Sequence, residues 1–234
     1  MSRVGFVQLY KFLKPKATAI GIAGFYPIRQ LGIAYMRTVR VFPKVANLFD
    51  FSDGWRVIKT NRENMTIRKG EQPLLLDRYH GGCMLSEVLV WPEVYLPGFS
   101  LKGKTVLDIG AGCGETAQFF FDQGAVRVVC VEADYKAASY IAYNVAKSYR
   151  WGETEIHGGV PFALEHLSIP HDFLKMDIEG GEKILTEYEG SLGPCRIELH
   201  PELIGKETTD KIIKKFDLRQ IQPGVKETSI WGRD

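Results

Sequence analysis

The sequence predicts an α/β fold: a mostly parallel sheet with helices on both faces, finished by a terminal antiparallel hairpin. Three observations carry this. From residue 101 onward, short apolar runs alternate with helix-patterned segments, the pattern of a parallel sheet built with crossover helices. The turn at Pro223-Gly224 is too short to hold a crossover helix, so its flanking strands must pair antiparallel. A glycine cluster, Gly110, Gly112 and Gly114, closes the first apolar run where strand gives way to helix.

The elements follow in order. The run at 105–109 is a buried strand, and 115–123 is a helix stopped by Gly124. A second strand spans 126–131. Asp134 is placed to cap a helix from Tyr135 to about Ser148. Glu155-Ile156-His157 is a third strand, and 161–167 a short helix opened by Pro161. Strands are expected at 173–177 and 196–200, with a helix at 182–188 between them and another at 209–216 after them. The closing hairpin joins 218–222 to 225–231.

Ahead of this domain lie two further zones. Residues 51–100 read as a small β-containing segment plus a helix. Strands are expected at 55–60 and 65–68, with a third at 74–76. Gly81-Gly82 is expected to break the chain before a helix over 84–91, which Pro92 ends. Residues 1–50 form a basic, aromatic-rich extension of net charge +7, leaving −5 on the remainder of a chain whose total is +2. Its longest uncharged stretch, 17–28, is interrupted by Gly21, Gly24 and Pro27. That is shorter than the roughly 20 apolar residues a membrane span requires. Contact with an anionic membrane surface is one expectation for the extension. Short helices packed on the α/β domain are the other. Four scattered cysteines without CxxC spacing point to reduced thiols in a cytoplasmic protein. The Asn64-Met65-Thr66 sequon is read as chance.

The glycine block reads Asp108-Ile-Gly110-Ala111-Gly112-Cys113-Gly114. Glycines permit a sharp turn and close approach to a ligand. Nicotinamide and flavin sites usually read GxGxxG, whereas this one reads GxGxG with an aspartate two positions ahead. A phosphate is ill served by that carboxylate. S-adenosylmethionine (SAM) has no phosphate, and an aspartate suits its cationic side. Bracing of the loop is the structural role open to Asp108. Glu132 ends the second strand about 20 residues after the glycines, where an acid accepts ribose hydroxyls. The expected cofactor contacts are Asp108, Gly110, Ala111, Gly112, Gly114, Glu132, Ala133, His157 and Gly158, the last two beside the adenine.

The fourth strand carries Lys175-Met-Asp177-Ile-Glu179-Gly180-Gly181-Glu182, and the fifth Arg196-Ile-Glu-Leu-His200. With VLDIGAGCGET, these blocks resemble the FkbM family of SAM-dependent methyltransferases over roughly residues 101–200. The resemblance implies the Rossmann-like class I methyltransferase fold. It also implies SAM-dependent O-methylation of a hydroxyl on a sugar, glycan or other small molecule. Cys113 and Glu115 depart from the commonest form of its glycine block. Asp177, Glu179 and His200 are the candidates for the catalytic base or for orienting the acceptor. Helix-terminal charge complementarity is the structural alternative for Glu179 and Glu182. No spacing in the sequence marks a metal site.

Other functions compete. Basic residues of the extension, interleaved with Tyr10, Phe12, Phe25, Tyr26 and Tyr35, suit an RNA methyltransferase that grips phosphates and stacks bases. The Asn/Asp-Pro-Pro-aromatic motif of exocyclic-amine methylation is not at the fourth strand. A SAM-binding scaffold without turnover is a further reading. A nicotinamide oxidoreductase is disfavoured by the glycine spacing and the hairpin. Oligomeric state is open.

Overall fold

The computed structural model describes residues 55–87, 91–96, 99–147, 153–222 and 229–234. The basic extension and the Pro223-Gly224 turn lie outside them. Strands β1 (Arg56–Thr60), β2 (Asn64–Lys69) and β3 (Gln72–Asp77) form an antiparallel meander. Asn61 shapes its first turn: Oδ1 accepts the amides of Glu63 at 2.8 Å and Asn64 at 2.9 Å, an Asx turn that tightens the reversal.

Helix α1 (Arg78–Glu87) corrects the expected break, because it runs through Gly81-Gly82. The reason is packing. A Cβ at Gly81 would fall 2.4 Å from Met65 Sδ, so glycine lets the helix sit directly on β2. Pro92 likewise does not end a helix. It occupies the first turn of α2 (Trp91–Tyr95), where its missing N–H costs nothing.

The main sheet begins with β4 (Thr105–Ile109), α3 (Glu115–Asp122), β5 (Arg127–Glu132), α4 (Tyr135–Lys147) and β6 (Glu153–Gly158). Then come β7 (Phe173–Met176), β8 (Cys195–Leu199), α5 (Pro201–Ile204), α6 (Lys206–Phe216), β9 (Arg219–Gln222) and β10 (Ser229–Arg233). Spatial order is β6-β5-β4-β7-β8-β10-β9. β10 pairs antiparallel with both neighbours, and every other pairing is parallel. This is the Rossmann-like sheet of class I methyltransferases that the alternation and the short final turn predict. The two crossovers expected as α-helices are single stretches of 3-10 helix, Leu164–Ser168 and Gly181–Glu187.

Strands buried on both faces divide the core in two. On one face Val106, Val128 and Cys130 pack with Phe120 and Ile141; on the other, Leu107, Ile109 and Val129 pack with Ile212 and Phe216. The first cluster also takes in Trp55, Val57, Met65, Ile67, Leu74 and Leu76. The small sheet therefore shares a core with the seven-stranded sheet. Asn144 of α4 fastens the join. Its side chain accepts from Leu75 N at 2.8 Å and donates to Leu75 O at 2.9 Å and Cys113 O at 3.1 Å. A buried amide satisfied this fully is costly to remove, about 1–3 kcal/mol for each partner left unpaired. Among the described residues, no helix is long and apolar enough to cross a membrane.

Candidate active site

The carboxyl ends of β4, β5 and β7 meet where the strand order reverses, the position at which open α/β sheets bind ligands. Gly110, Gly112 and Gly114 hold left-handed φ values of 77°, 56° and 88°. Packing explains part of their presence. A Cβ at Gly110 would lie 1.8 Å from Asp177 O, and one at Gly112 would lie 2.6 Å from His80 Cδ2. The loop is pressed between the end of β7 and the first turn of α1.

Its amides are spent internally. Gly110 N and Ala111 N donate to Val131 O at 2.9 and 3.2 Å, and Gly114 N to Ala111 O at 2.9 Å. Gly112 N donates to Glu132 Oε2 at 2.8 Å and Cys113 N to Glu115 Oε2 at 2.9 Å. A pyrophosphate cradle needs free N–H groups converging on the anion. Here backbone carbonyls take three of them and carboxylates two.

Glu132 is half-buried at the end of β5. Its second oxygen accepts Asp134 N at 2.8 Å. Each oxygen keeps a lone pair for a further donor. Ala133 is exposed beside it, and Gly158 pairs with Glu132 across the β5–β6 ladder. Asp134 does the capping expected of it, accepting Ala137 N at 2.7 Å.

Three expected contacts need correction. Asp108 is fully buried behind the loop. Its carboxylate accepts Thr116 Oγ1 at 2.5 Å and faces Lys175 Nζ at 3.2 Å. Lys175 also donates to Gly110 O at 2.6 Å. Burial pulls the Lys175 ammonium down, but the charges of Asp108 and Asp177 outweigh it and hold the group charged. Asp108 thus braces the loop and has no surface for a ligand. Ala111 is buried and contributes only backbone. His157 lies within β6, in the third strand as expected, but it is not free for an adenine. Its ring is held by Glu155 Oε1 at 2.7 Å and packs edge-on against His166. Cys113 is also buried, and burial with the charge of Glu115 pushes its thiol well up. It fills space, as expected.

Sequence reasoning missed His80. It stands over Gly112, with Nδ1 2.8 Å from Asp77 Oδ2. Burial pulls its pKa down, but the Asp77 hydrogen bond and the charges of Glu115, Asp77 and Glu132 raise it to about 9. It is an imidazolium at neutral pH, at the edge of the glycine loop. No motif surrounds it. Its only signal is a histidine three residues after a strand, in the first turn of the following helix.

Across the Gly110 wall lies the second group. Asp177 follows β7, and Glu179 follows in the left-handed region at φ 49°, where a non-glycine residue is strained and often functional. His200 follows β8 and is buried. Its Nδ1 meets the fully buried Glu182 Oε1 at 3.0 Å, while Nε2 faces Glu179 Oε2 at 3.5 Å and Asp177 Oδ1 at 3.8 Å. Burial lowers the His200 pKa, but Glu182 and the charges of Asp177 and Glu198 raise it to about 9. His200 is therefore charged at neutral pH, which removes it as a free base and leaves the proton-accepting role to a carboxylate. The structure does bring Asp177, Glu179 and His200 together, as the sequence suggested. Tyr79 stands beside them, its hydroxyl pushed up by charge at Cys83 first, then by burial and by Glu179 and Asp177.

No family model matches the sequence, and no curated protein matches it. Among solved structures the chain is similar to Trm5b from Pyrococcus abyssi, at 16% identity and a TM-score of 0.46 over 76% of this chain and 56% of that one. It is similar to P. horikoshii TYW2 in complex with MeSAdo, at 13% identity and a TM-score of 0.48 over 75% and 71%. It is also similar to Aeropyrum pernix fibrillarin with natively bound S-adenosyl-L-methionine, at 13% identity and 0.43 over 62% and 73%. The chain spans little more than half the length of Trm5b.

Proposed function

We propose that this protein is a SAM-dependent methyltransferase that methylates a hydroxyl oxygen of a sugar, glycan or other small molecule. One observation carries the cofactor reading: every loop amide from Gly110 to Gly114 is bonded within the protein, two of the five to carboxylates. That environment rejects a pyrophosphate. It suits a ligand bearing a ribose diol and a cationic centre.

The residues present fit SAM group by group. Glu132 has outward lone pairs for both ribose hydroxyls. The imidazolium of His80 lies where a ligand's carboxylate can approach the loop. Gly158 and Ala133 border the Glu132 end. When bound, the cofactor supplies a methyl group already activated on a sulfonium. What remains for the chain is to align an acceptor oxygen behind that carbon and remove its proton. Asp177, at the mouth of the cluster, takes the proton. Glu182 fixes the orientation of His200. This agrees with the resemblance to the FkbM family carried by the glycine, Asp177 and His200 blocks.

A second reading makes the acceptor an RNA. It is favoured by the +7 charge and the interleaved aromatic residues of the extension, which suit phosphates and unstacked bases. Binding to RNA that weakens steeply with salt would favour it.

Calorimetric titration with SAM, S-adenosylhomocysteine and NAD tests the cofactor reading. Micromolar binding of the first two and none of NAD is expected. A folded protein that binds neither overturns it. Asp177→Asn is expected to lower kcat by about 10²–10⁴ with cofactor affinity unchanged. Full turnover in that variant would remove Asp177 as the base.

A further inference from the structure

The acceptor-side cluster has a property that proton transfer does not require. His200 is 4% exposed, and its Nε2 points at two carboxylates without reaching either at a short hydrogen-bonding distance. Asp177 Oδ1 is buried and has no hydrogen-bond partner. Glu182 Oε2, on a side chain with no exposed surface, has none either. Buried polar atoms are seldom left this way. Two of them beside one imidazole imply a missing component.

We propose that Asp177, Glu179 and His200 bind a first-row divalent cation. One ligand atom from each residue lies within 4.8 Å of the others. Ligand atoms bonded to one ion at about 2.1 Å sit roughly 3–4 Å apart, and the 3.5 and 3.8 Å separations from Nε2 fall in that range. Glu179, with a 70% exposed side chain, is free to close the remaining distance and opens the site to solvent. The surrounding shell matches as well. Glu182 Oε1 accepts from His200 Nδ1, and Ile178 N donates to that same oxygen at 3.1 Å. A carboxylate behind the ligating histidine fixes its tautomer and orientation, as in most histidine-bound metal sites, and the cation takes the place of the proton that Nε2 carries in the metal-free chain. Two carboxylates with one imidazole, and no thiolate, suit Mn2+ or Zn2+ better than a soft cation or an all-oxygen Ca2+ cage.

The site also differs from the other acid–histidine group in the molecule. Asp77, His80 and Cys113 are close enough to consider, but His80 and Asp77 satisfy each other at 2.8 Å, and the buried thiol is held protonated. No coordination is left over there.

Metal binding does not depend on the methyl-transfer reading. Where both hold, the proposal deepens it, because an acceptor oxygen on the cation loses its proton more readily. The test uses the full chain, stripped with chelator and then titrated with Mn2+, with loss of the free-ion electron paramagnetic resonance signal as the readout. S-adenosylhomocysteine binding is measured in parallel. One equivalent of Mn2+ is expected. Affinity should fall at least about tenfold in Glu179→Gln, whose exposed side chain leaves the fold undisturbed, and further in His200→Gln. Glu182→Gln, which touches no metal, should weaken binding by about 10–100-fold. A folded chain that takes up no Mn2+ overturns the proposal, as does wild-type Mn2+ affinity in both Glu179→Gln and His200→Gln. Metal binding without S-adenosylhomocysteine binding would sustain the cation site and sink the methyltransferase reading, so the two fail separately.

Discussion

The floor of the cofactor side and the acceptor-side cluster are both crowded with carboxylates, but they are built in opposite ways. Under the glycine loop the charges are matched: Asp108 with Lys175 and Thr116, Glu132 with two amides, Glu115 with Cys113 N, and Asp77 with His80. Asp108 Oδ1 accepts no hydrogen bond, but it has the Lys175 ammonium at 3.2 Å. Across Gly110, by contrast, Asp177 Oδ1 faces His200 Nε2 only at 3.8 Å, Glu182 Oε2 has no hydrogen-bond partner, and Glu179 holds a strained backbone. A saturated network is rigid and costly to disturb. An unsaturated one is a place where a ligand completes the structure. Mutations on the first side should therefore register mainly in stability or cofactor affinity, and those on the second in turnover.

The sharpest way to break that contrast is Lys175→Met. It leaves the Asp108 carboxylate buried and uncompensated, which should cost about 3–5 kcal/mol of folding stability. The measurement is urea denaturation. Adding Asp108→Asn to Lys175→Met should restore much of the loss, because the liability is the orphaned charge rather than the missing pair. If Lys175→Met is as stable as the wild type, the brace is not the rigid element described here.

Glu132→Ala sharpens the comparison from the ligand side. Its exposed lone pairs face the site, so the fold should lose little. Affinity for S-adenosylhomocysteine should fall by about 10–100-fold, the range for hydrogen bonds to a charged acceptor. Glu179→Gln, on the other side of Gly110, should leave that affinity unchanged. Equal losses in the two variants would mean the two sides form one network.

How far the sequence discloses this arrangement depends on whether a feature is local. Strand–helix alternation, the glycine block, Glu132 and the cap at Asp134 are legible because each depends on a few consecutive residues. Asp108 is assigned to the ligand because its placement before the glycines is visible, while its partner is not. Lys175 becomes its neighbour only through the β4–β7 register, which pairs the two positions directly. His80 and Glu182 escape for the same reason. One acts from the segment before the domain, and the other acts through a histidine on the next strand. The glycines carry a second lesson. Gly81 looks like a helix breaker but is a contact surface for Met65, and close packing is invisible to propensity. Gly110 reads as ligand approach although the nearest obstacle to a side chain there is the backbone of Asp177.

The smallest expected effect isolates His80. Its pKa stands at about 9 in the folded chain, above the ordinary histidine value of about 6.5. A raised folded pKa means the stabilisation is complete below about pH 6.5 and is lost as pH rises through about 9. Three carboxylates face the ring: Asp77 from β3, Glu115 from α3 and Glu132 from β5. All three lose their cationic partner when it deprotonates. His200 titrates in the same window, so the pH dependence of the wild type alone cannot separate them. The difference between wild type and His80→Gln can. Melting temperature and S-adenosylhomocysteine affinity should both decline from pH 7 to pH 10 in the wild type, affinity by roughly fivefold, the value of about one exposed ion pair. In His80→Gln the affinity should start lower and change less. Parallel pH profiles in the two proteins would show that the imidazolium over Gly112 takes no part in holding the ligand, and that Glu132 alone defines the cofactor side.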